Sequence, residues 1–221
     1  MPTSTVEDYL KCILVEQQRN PGALVTMGQV AASLGVAPGT VTAMVKTLAD
    51  SGLVSYEPYS GVLLTDHGRQ LAAHVLRRHR LVELFLVAVM GMDWSEVHPE
   101  AELLEHAVSD RLIERMDEML GHPSVDPHGD PIPDAHGEVH EPVLPNLLAC
   151  PLDAPVQVAR VGDQSRDFLL LLERRRLKPG SRLRVTARDE AADTVELRLE
   201  GGEELSLGFR AASKILVDPH F

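Results

Sequence analysis

Residues 26–54 have the sequence TMGQVAASLGVAPGTVTAMVKTLADSGLV, and this stretch decides the fold. Val30 and Leu34 lie one helical turn apart, Gly35 follows, and a second helical pattern begins at about Pro38. Glycine suits a left-handed turn, and proline suits a first helical turn because its missing N–H has no intrahelical partner there. The stretch therefore predicts a helix-turn-helix, and the alternative is a two-helix corner of any α-rich domain.

The second helix of this pair has an apolar side and a side of small or polar residues. Its apolar residues repeat at helical spacing and are Val41, Met44, Val45 and Leu48. In a major groove, threonine methyls and Ala43 can touch thymine methyls, and the hydroxyls or Lys46 can reach phosphates. The candidate DNA-binding residues on this helix are Ala37, Pro38, Gly39, Thr40, Thr42, Ala43 and Lys46.

A hairpin is predicted directly after this helix. Residues 53–71, LVSYEPYSGVLLTDHGRQL, contain a short strand, a turn from Pro58 to Gly61, a second strand and the start of a long helix. A hairpin in this place is the wing of a winged helix. Tyr59 at its tip is a candidate contact to the sugar-phosphate backbone, although exposed turn residues without a binding role are equally common.

Residues 6–18 predict an amphipathic first helix. Its apolar stripe consists of Tyr9, Leu10, Ile13 and Leu14. Asp8 lies near the first turn, where a carboxylate is favoured electrostatically, so spacing alone makes it a solvated helix-start residue.

The composition of the 221 residues indicates a globular, cytoplasmic protein. Hydrophobic residues make up 44%, no apolar run is long enough to span a membrane, and no signal peptide is expected at the start. Two cysteines are too few for a disulfide framework, so buried reduced thiols are expected. The net charge of -12 opposes nucleic-acid binding, but residues 1–80 contain 7 basic and 6 acidic residues. Bound divalent cations would offset part of the negative charge carried by the residues after position 80.

The segment from Arg78 to Arg111 gathers metal-ligand types at helical spacing. His79 and Glu83 are four residues apart, Glu102, Glu105 and His106 follow the i, i+3, i+4 pattern, and His98 lies between. Such clusters predict a metal-binding switch. The simpler interpretations are a surface salt bridge for His79 and Glu83 and a helix cap for His98.

Several motifs together resemble the diphtheria toxin repressor family of metal-dependent transcriptional regulators, over essentially the whole chain. They are EDYL (7–10), VAPGTVTAMVKTL (36–48), RRHRLVELFL (77–86), VHPEAELLEHAVSD (97–110) and GHPSVDPHGDPIP (121–133). The resemblance implies a primary metal site of Asp8, Glu102, Glu105 and His106. Three carboxylates and one imidazole favour Mn(II), although other divalent metals would bind in vitro. By resemblance, iron-responsive members carry Met at the position of Asp8 and Cys at that of Glu102, whereas manganese-responsive members carry carboxylates as this chain does. An iron(II)-responsive regulator of the same family is the alternative.

The resemblance also implies an ancillary metal site made of His79, Glu83 and His98. A ligand from the C-terminal domain often completes it, and Asp167 is the candidate here, followed by Asp163 and Gln164. The smallest manganese-responsive members carry a second acidic residue three positions after the N-terminal Asp, where this chain has Lys11. Two separated mononuclear sites are therefore expected.

The rest of the chain predicts a helix, a linker and a small β-domain. Residues 102–121 form an amphipathic pattern that predicts one helix and part of a dimer interface, with an intramolecular core contact as the alternative. The following segment is rich in Pro, Gly and His, so its histidines (His122, His128, His136 and His140) are not expected to be ligands. From about Ala149, short alternating strands predict a small β-barrel, and the resemblance to the family implies an SH3-like fold. This domain either supplies a ligand to the ancillary site or has no part in metal binding.

These expectations define an α+β protein with three domains. They are a winged helix-turn-helix (1–73), a helical metal-binding and dimerisation domain with a Pro-rich tail (74–141), and an SH3-like, FeoA-type domain (142–221). The predicted function is a homodimeric, manganese-dependent regulator of transcription that binds double-stranded operator DNA, by resemblance a repressor of metal uptake. No membrane or small-molecule substrate is expected. A metallohydrolase is the alternative from another functional class. The sequence shows no evident nucleophile or general base, which argues against it.

Overall fold

The computed structural model describes residues 3–139 and 142–221, and it divides the chain into two compact units. Unit 1 comprises Met1–His79, Glu102–Arg115 and Ile132–Val139, and unit 2 comprises Arg80–Ala101, Met116–Pro131 and His140–Phe221. His140 and the predicted domain border at residue 141 lie outside the described residues. Within the described ranges, no helix has the length and apolar character needed to cross a bilayer.

Unit 1 begins with the predicted winged helix-turn-helix. Its elements are α1 (Ser4–Arg19), α2 (Met27–Leu34), α3 (Pro38–Asp50), β1 (Val54–Glu57) and β2 (Gly61–Leu64). Thr26 and Gln29 form a capping box that starts α2, Gly35 ends it in the left-handed conformation with φ 65°, and Pro38 occupies the first turn of α3. The predicted left-handed turn at Gly35 and the first-turn position of Pro38 are thus confirmed.

The core of this part joins all three helices to the hairpin. The apolar stripe of α1 is buried as predicted, and Val41, Val45 and Leu48 of α3 are buried with Val54 and Val62 of the hairpin. Met44 is only half-buried. This burial fixes which side of α3 is left for a partner.

The hairpin forms the wing. β1 and β2 are antiparallel, with Val54 opposite Leu64 and Glu57 opposite Gly61. Tyr59 at the tip is fully exposed and has φ 66°, a left-handed conformation that is uncommon for a residue other than glycine. The wing therefore presents an aromatic side chain to solvent.

The helical region after the wing differs from the prediction at one point. Its helices are α4 (Asp66–Ala88), α5 (Val97–Leu104) and α6 (Asp110–Met119). The expected single helix over 102–121 is wrong, because the amides of Ala107 and Val108 both donate to the carbonyl of Leu104 and the chain turns before α6. Glu105 and His106 therefore lie in a turn and not on a helix face.

Unit 2 contains the predicted C-terminal β-domain. Its elements are β3 (Pro155–Val161), α7 (Arg166–Arg174), β4 (Arg182–Asp189), β5 (Thr194–Leu199), β6 (Glu204–Gly208), α8 (Phe209–Ala212) and β7 (Ile215–Asp218). The five strands are antiparallel neighbours in the order β6-β5-β4-β3-β7. Inward-facing residues of every strand pack with Phe168, Leu169 and Leu172 of α7, and Trp94 joins the same core. The prediction of a small SH3-like domain built from short strands is confirmed.

Two loops in the proline-rich segment share one sequence pattern and one set of hydrogen bonds. They are Asp126-Pro-His-Gly-Asp130 and Asp134-Ala-His-Gly-Glu138. In each, the first aspartate accepts hydrogen bonds through Oδ1 from the amides two and four residues later, at 2.8–3.0 Å. The first loop belongs to unit 2 and the second to unit 1. Both are ordered by local bonding despite their composition.

Candidate metal centres

The first centre lies in unit 1, between α1 and the turn after α5. Asp8 on α1, and Glu105 and His106 in the turn, offer ligand atoms within 4.8 Å of one another. His106 Nε2 lies 2.8 Å from Asp8 Oδ1 and 3.3 Å from Glu105 Oε1. Ligand atoms lie about 2.0–2.6 Å from a bound ion, so the donors of one ion are separated by roughly 3–5 Å and these atoms suit a single cation.

Glu7 orients the imidazole of this centre, and the sequence analysis missed it. His106 Nδ1 lies 2.7 Å from Glu7 Oε2, which leaves Nε2 directed towards Asp8 and Glu105. Burial lowers the pKa of His106, but the hydrogen bonds to Glu7 and Asp8 more than offset this and the pKa lies above its usual value. A carboxylate behind a ligand histidine is a common support in metal sites, and this one follows directly from the adjacent acids at positions 7 and 8.

A second group of donors adjoins the first and shares Glu105 with it. This group consists of His79, Glu102 and Glu105, also within 4.8 Å of one another. His79 Nδ1 lies 2.5 Å from Glu105 Oε2 and 3.5 Å from Glu102 Oε1. The predicted set of Asp8, Glu102, Glu105 and His106 is therefore brought to one place but divided between two groups.

Lys11 supplies a positive charge to the second group. Its Nζ lies 2.7 Å from Oε1 of both Glu102 and Glu105, and the lysine side chain is only 11% exposed. Burial lowers the pKa of this ammonium, but the attraction of Glu105 and Glu102 outweighs it, so the pKa is raised and the lysine is charged. Glu105 is completely buried and contacts Lys11, His79 and His106.

Unit 2 holds a separate cluster that combines one predicted and two unpredicted residues. Glu83, Asp126 and His128 are all buried, and their ligand atoms lie within 4.8 Å of one another. His128 Nδ1 is 3.8 Å from Glu83 Oε2 and 3.9 Å from Asp126 Oδ1. Among the described residues, neither His128 Nδ1 nor Asp126 Oδ2 has a hydrogen-bond partner. Buried polar atoms left at such separations are what a bound cation would satisfy.

The surroundings of this cluster hold its histidine in place. His128 Nε2 lies 2.9 Å from the carbonyl oxygen of Trp94, and the two rings stack with centroids 5.6 Å apart. Burial raises the pKa of the Asp126 carboxyl well above its usual range, and the nearby Asp130 and Glu83 carboxylates raise it further. A cation would favour the ionised form of this carboxyl.

The other predicted ancillary ligands are His98, His79 and Asp167. His98 Nδ1 lies 3.0 Å from Glu83 Oε1 with its side chain half exposed, whereas His79 belongs to unit 1. Asp167 is exposed in the first turn of α7 and is in none of the ligand groups found among the described residues. Asp163 pairs with Lys214, and Gln164 donates to Asp130. The geometry therefore favours Asp126 and His128 over Asp167.

A weak signal for Asp126 and His128 was present in the sequence. The Asp-Pro-His-Gly-Asp order is typical of a turn in which the aspartate binds its own backbone, and such a turn holds the following histidine in a fixed place. The proline content of the segment predicts no ligand here, but composition does not specify what the loop packs against.

Most of the residues predicted to bind DNA on α3 and at its N-terminus are accessible to solvent. Ala37, Pro38, Gly39, Thr40, Ala43 and Lys46 are exposed, and Thr42 is half-buried. The hydroxyl of Thr42 donates to the carbonyl of Pro38 at 3.0 Å. Small side chains at these positions leave room for the edges of base pairs.

Three family models cover most of the chain. Residues 1–62 match the iron dependent repressor N-terminal DNA binding domain, residues 65–134 match the iron dependent repressor metal binding and dimerisation domain, and residues 146–219 match the FeoA domain. An HTH-type transcriptional regulator of Methanocaldococcus jannaschii is 38% identical over 114 residues, which are 52% of this chain and 90% of that protein. The chain belongs to the diphtheria toxin repressor family.

Other members of the diphtheria toxin repressor family align over nearly the full length. The iron-dependent repressor IdeR of Mycobacterium leprae is 29% identical across 97% of this chain and 96% of its own length. A solved structure described as a manganese-dependent transcriptional repressor in complex with manganese has 42% identity, covers 97% of this chain and 99% of that one, and superposes with a TM-score of 0.88. These relatives are regulators of transcription, so the family placement favours a regulator over the metallohydrolase alternative.

Proposed function

We propose that this protein is a manganese-dependent, homodimeric transcriptional regulator that binds operator DNA and represses genes for metal uptake. The observation that carries the proposal is the meeting of Asp8 from α1 with Glu105 and His106 from the turn after α5. The manganese-dependent repressor with a TM-score of 0.88 supports the same choice of metal.

The donor types also favour manganese. Each of the three ligand groups described above contains two carboxylates and one imidazole. Among the described residues, none of these groups contains a cysteine. Hard oxygen donors suit Mn(II), whereas thiolates suit softer ions. Asp8, Glu105 and His106 would hold the ion of the first centre, with Glu102 beside them. The ion would supply positive charge that joins α1 to the turn.

α1 is well placed to transmit this event within unit 1. Leu10 and Ile13 on the opposite side of the helix belong to the same core as Val41 and Val45 of α3. Metal bound through Asp8 therefore restrains a helix whose apolar side lies in the same core as the recognition helix. Because an ion shifts an equilibrium only through differential affinity, it must bind the DNA-competent arrangement more tightly than others.

A homodimer is part of the proposal because two recognition helices are needed to bind a pseudo-palindromic operator. The region matched by the metal binding and dimerisation domain leaves several large apolar side chains exposed. They are Val89, Met90, Leu103, Leu104, Leu112 and Met119. Leu103, Leu104 and Leu112 belong to unit 1, the other three belong to unit 2, and a second copy of the chain would bury such residues in the proposed dimer.

Replacing Asp8 with alanine tests the primary centre. We expect Asp8→Ala to lower manganese-dependent affinity for the DNA upstream of the protein's own gene by about 5- to 150-fold, the usual range of a coupling energy, while the fold is kept. The measurement is an anaerobic titration of fluorescent operator DNA with Mn(II) and with Fe(II). Lys46→Ala is the contrasting variant, because it should weaken DNA binding and leave metal binding unchanged. Unaltered metal dependence in Asp8→Ala, or a clear preference for Fe(II) in the natural protein, would contradict the proposal.

We also propose an ancillary site made of Glu83, Asp126 and His128, with His98 at its edge. His128→Ala is expected to remove one bound Mn(II) per chain, because it takes the only imidazole from the buried group of three. Metal analysis after gel filtration measures this. His136→Ala is the matched control, since His136 occupies the same position in the second loop but is exposed. Equal metal content in both variants would refute the ancillary site.

A further inference from the structure

The two donor groups of unit 1 have the arrangement of a centre for two cations. Asp8, Glu105 and His106 form one position, and His79, Glu102 and Glu105 form the other. Glu105 belongs to both, and its two oxygens point in different directions, with Oε1 near Lys11 and His106 and Oε2 near His79. A carboxylate shared in this way is how paired cations are commonly bridged.

Lys11 already places a cation beside both carboxylates of the second position. Its ammonium nitrogen is 2.7 Å from an oxygen of Glu102 and 2.7 Å from an oxygen of Glu105, and it is almost completely buried. A buried ammonium needs compensating negative charge, and these two carboxylates provide it.

We propose that Lys11 is a built-in replacement for a second metal ion, so that the primary centre binds one Mn(II) beside a fixed ammonium group. This inference rests on the proposed metal-binding function. Lys11 therefore does more than exclude a second ion, because its charge takes the place of that ion in the centre.

The charges agree with this assignment. The three ligand carboxylates of Asp8, Glu102 and Glu105 carry three negative charges, and one divalent ion with the Lys11 ammonium supplies three positive charges. Two divalent ions would exceed the ligand charge if the lysine remained. The lysine also links α1 to Glu102 and Glu105 through a charge that does not depend on metal supply.

The test is the number of Mn(II) ions bound per chain in a His128→Ala background, which removes the proposed ancillary site. With Lys11 present we expect one ion. With Lys11→Glu we expect two, because the added carboxylate replaces the ammonium with a ligand. Lys11→Met, of similar length but uncharged, should also admit a second, weaker ion. Electron paramagnetic resonance should show magnetic coupling between the two ions, since Glu105 bridges them.

Lys178→Glu is the control, because it makes the same charge change at a lysine that pairs with Glu173 in unit 2. It should leave one ion in the primary centre. One ion in both Lys11 variants, or two ions with Lys11 intact, would overturn the inference. No ion at all with Lys11 intact would contradict the proposed primary site itself and thereby the inference that rests on it.

Discussion

Glu105→Gln is expected to abolish the response of DNA binding to Mn(II) and to destabilise the metal-free protein. The carboxylate is completely buried and contacts Lys11, His79 and His106, so the neutral amide leaves an ammonium without half of its compensation. Breaking a buried ion pair by removing one partner costs about 3–5 kcal/mol. Urea denaturation of metal-free protein measures this loss, and operator titration with Mn(II) measures the response.

Glu114→Gln is the matched control for this prediction. Glu114 lies on α6 in the same unit and is exposed, so the same chemical change should alter stability by no more than about 0.5 kcal/mol. If Glu105→Gln were as stable as the control and kept its metal response, Glu105 would not be the centre of the charge network.

Gly129→Ala is expected to have the other large effect, on unit 2. Gly129 has φ 87°, and an added Cβ would lie 1.9 Å from the carbonyl oxygen of Ala159 on β3. The backbone would have to move, and we expect a loss of about 3–5 kcal/mol from the left-handed conformation and the clash together. The movement would displace His128, whose carbonyl accepts a hydrogen bond from the amide of Val161.

Fluorescence can follow this change without a label. Trp94 is the only tryptophan, it lies in the core of unit 2, and its ring stacks on His128. Gly180→Ala serves as the control, since Gly180 has φ 91° but an added Cβ would have no atom within 4 Å. That variant should lose only about 1–2 kcal/mol. Equal losses in the two glycine variants would show that the contact with β3 does not matter.

Local signals made the winged helix predictable. The Thr26 to Pro38 region carries a capping box, a left-handed glycine and a first-turn proline, and each acts within a few residues of chain. The short strands of the C-terminal domain were predictable for the same reason, because alternation identifies them without knowledge of their partners.

Signals that depend on distant parts of the chain were harder to predict. Helical spacing brought Glu105 and His106 into the predicted site, yet the structure places them in a turn, where partners on α1 fix their positions. Lys11 was recognised as a departure from the family pattern, but its contacts with residues more than 90 positions away could not be inferred from spacing.

The paired loops show where composition fails as a guide. Asp126 to Asp130 and Asp134 to Glu138 share residue order and hydrogen bonds, but His128 is buried and His136 is exposed. The loop conformation is therefore encoded locally. Whether its histidine becomes a ligand is decided by what the loop packs against, and that information is absent from the motif.

The sharing of Glu105 between two donor groups limits how this centre can evolve. Any substitution that adjusts its geometry towards another metal also alters its contact with Lys11, and thus the attachment of α1. Metal preference and the position of the first helix cannot be changed independently through this residue. A ligand that serves one group alone and lies outside α1, such as His79 on α4, is a position at which selectivity can change without altering Asp8 or Lys11, which attach that helix.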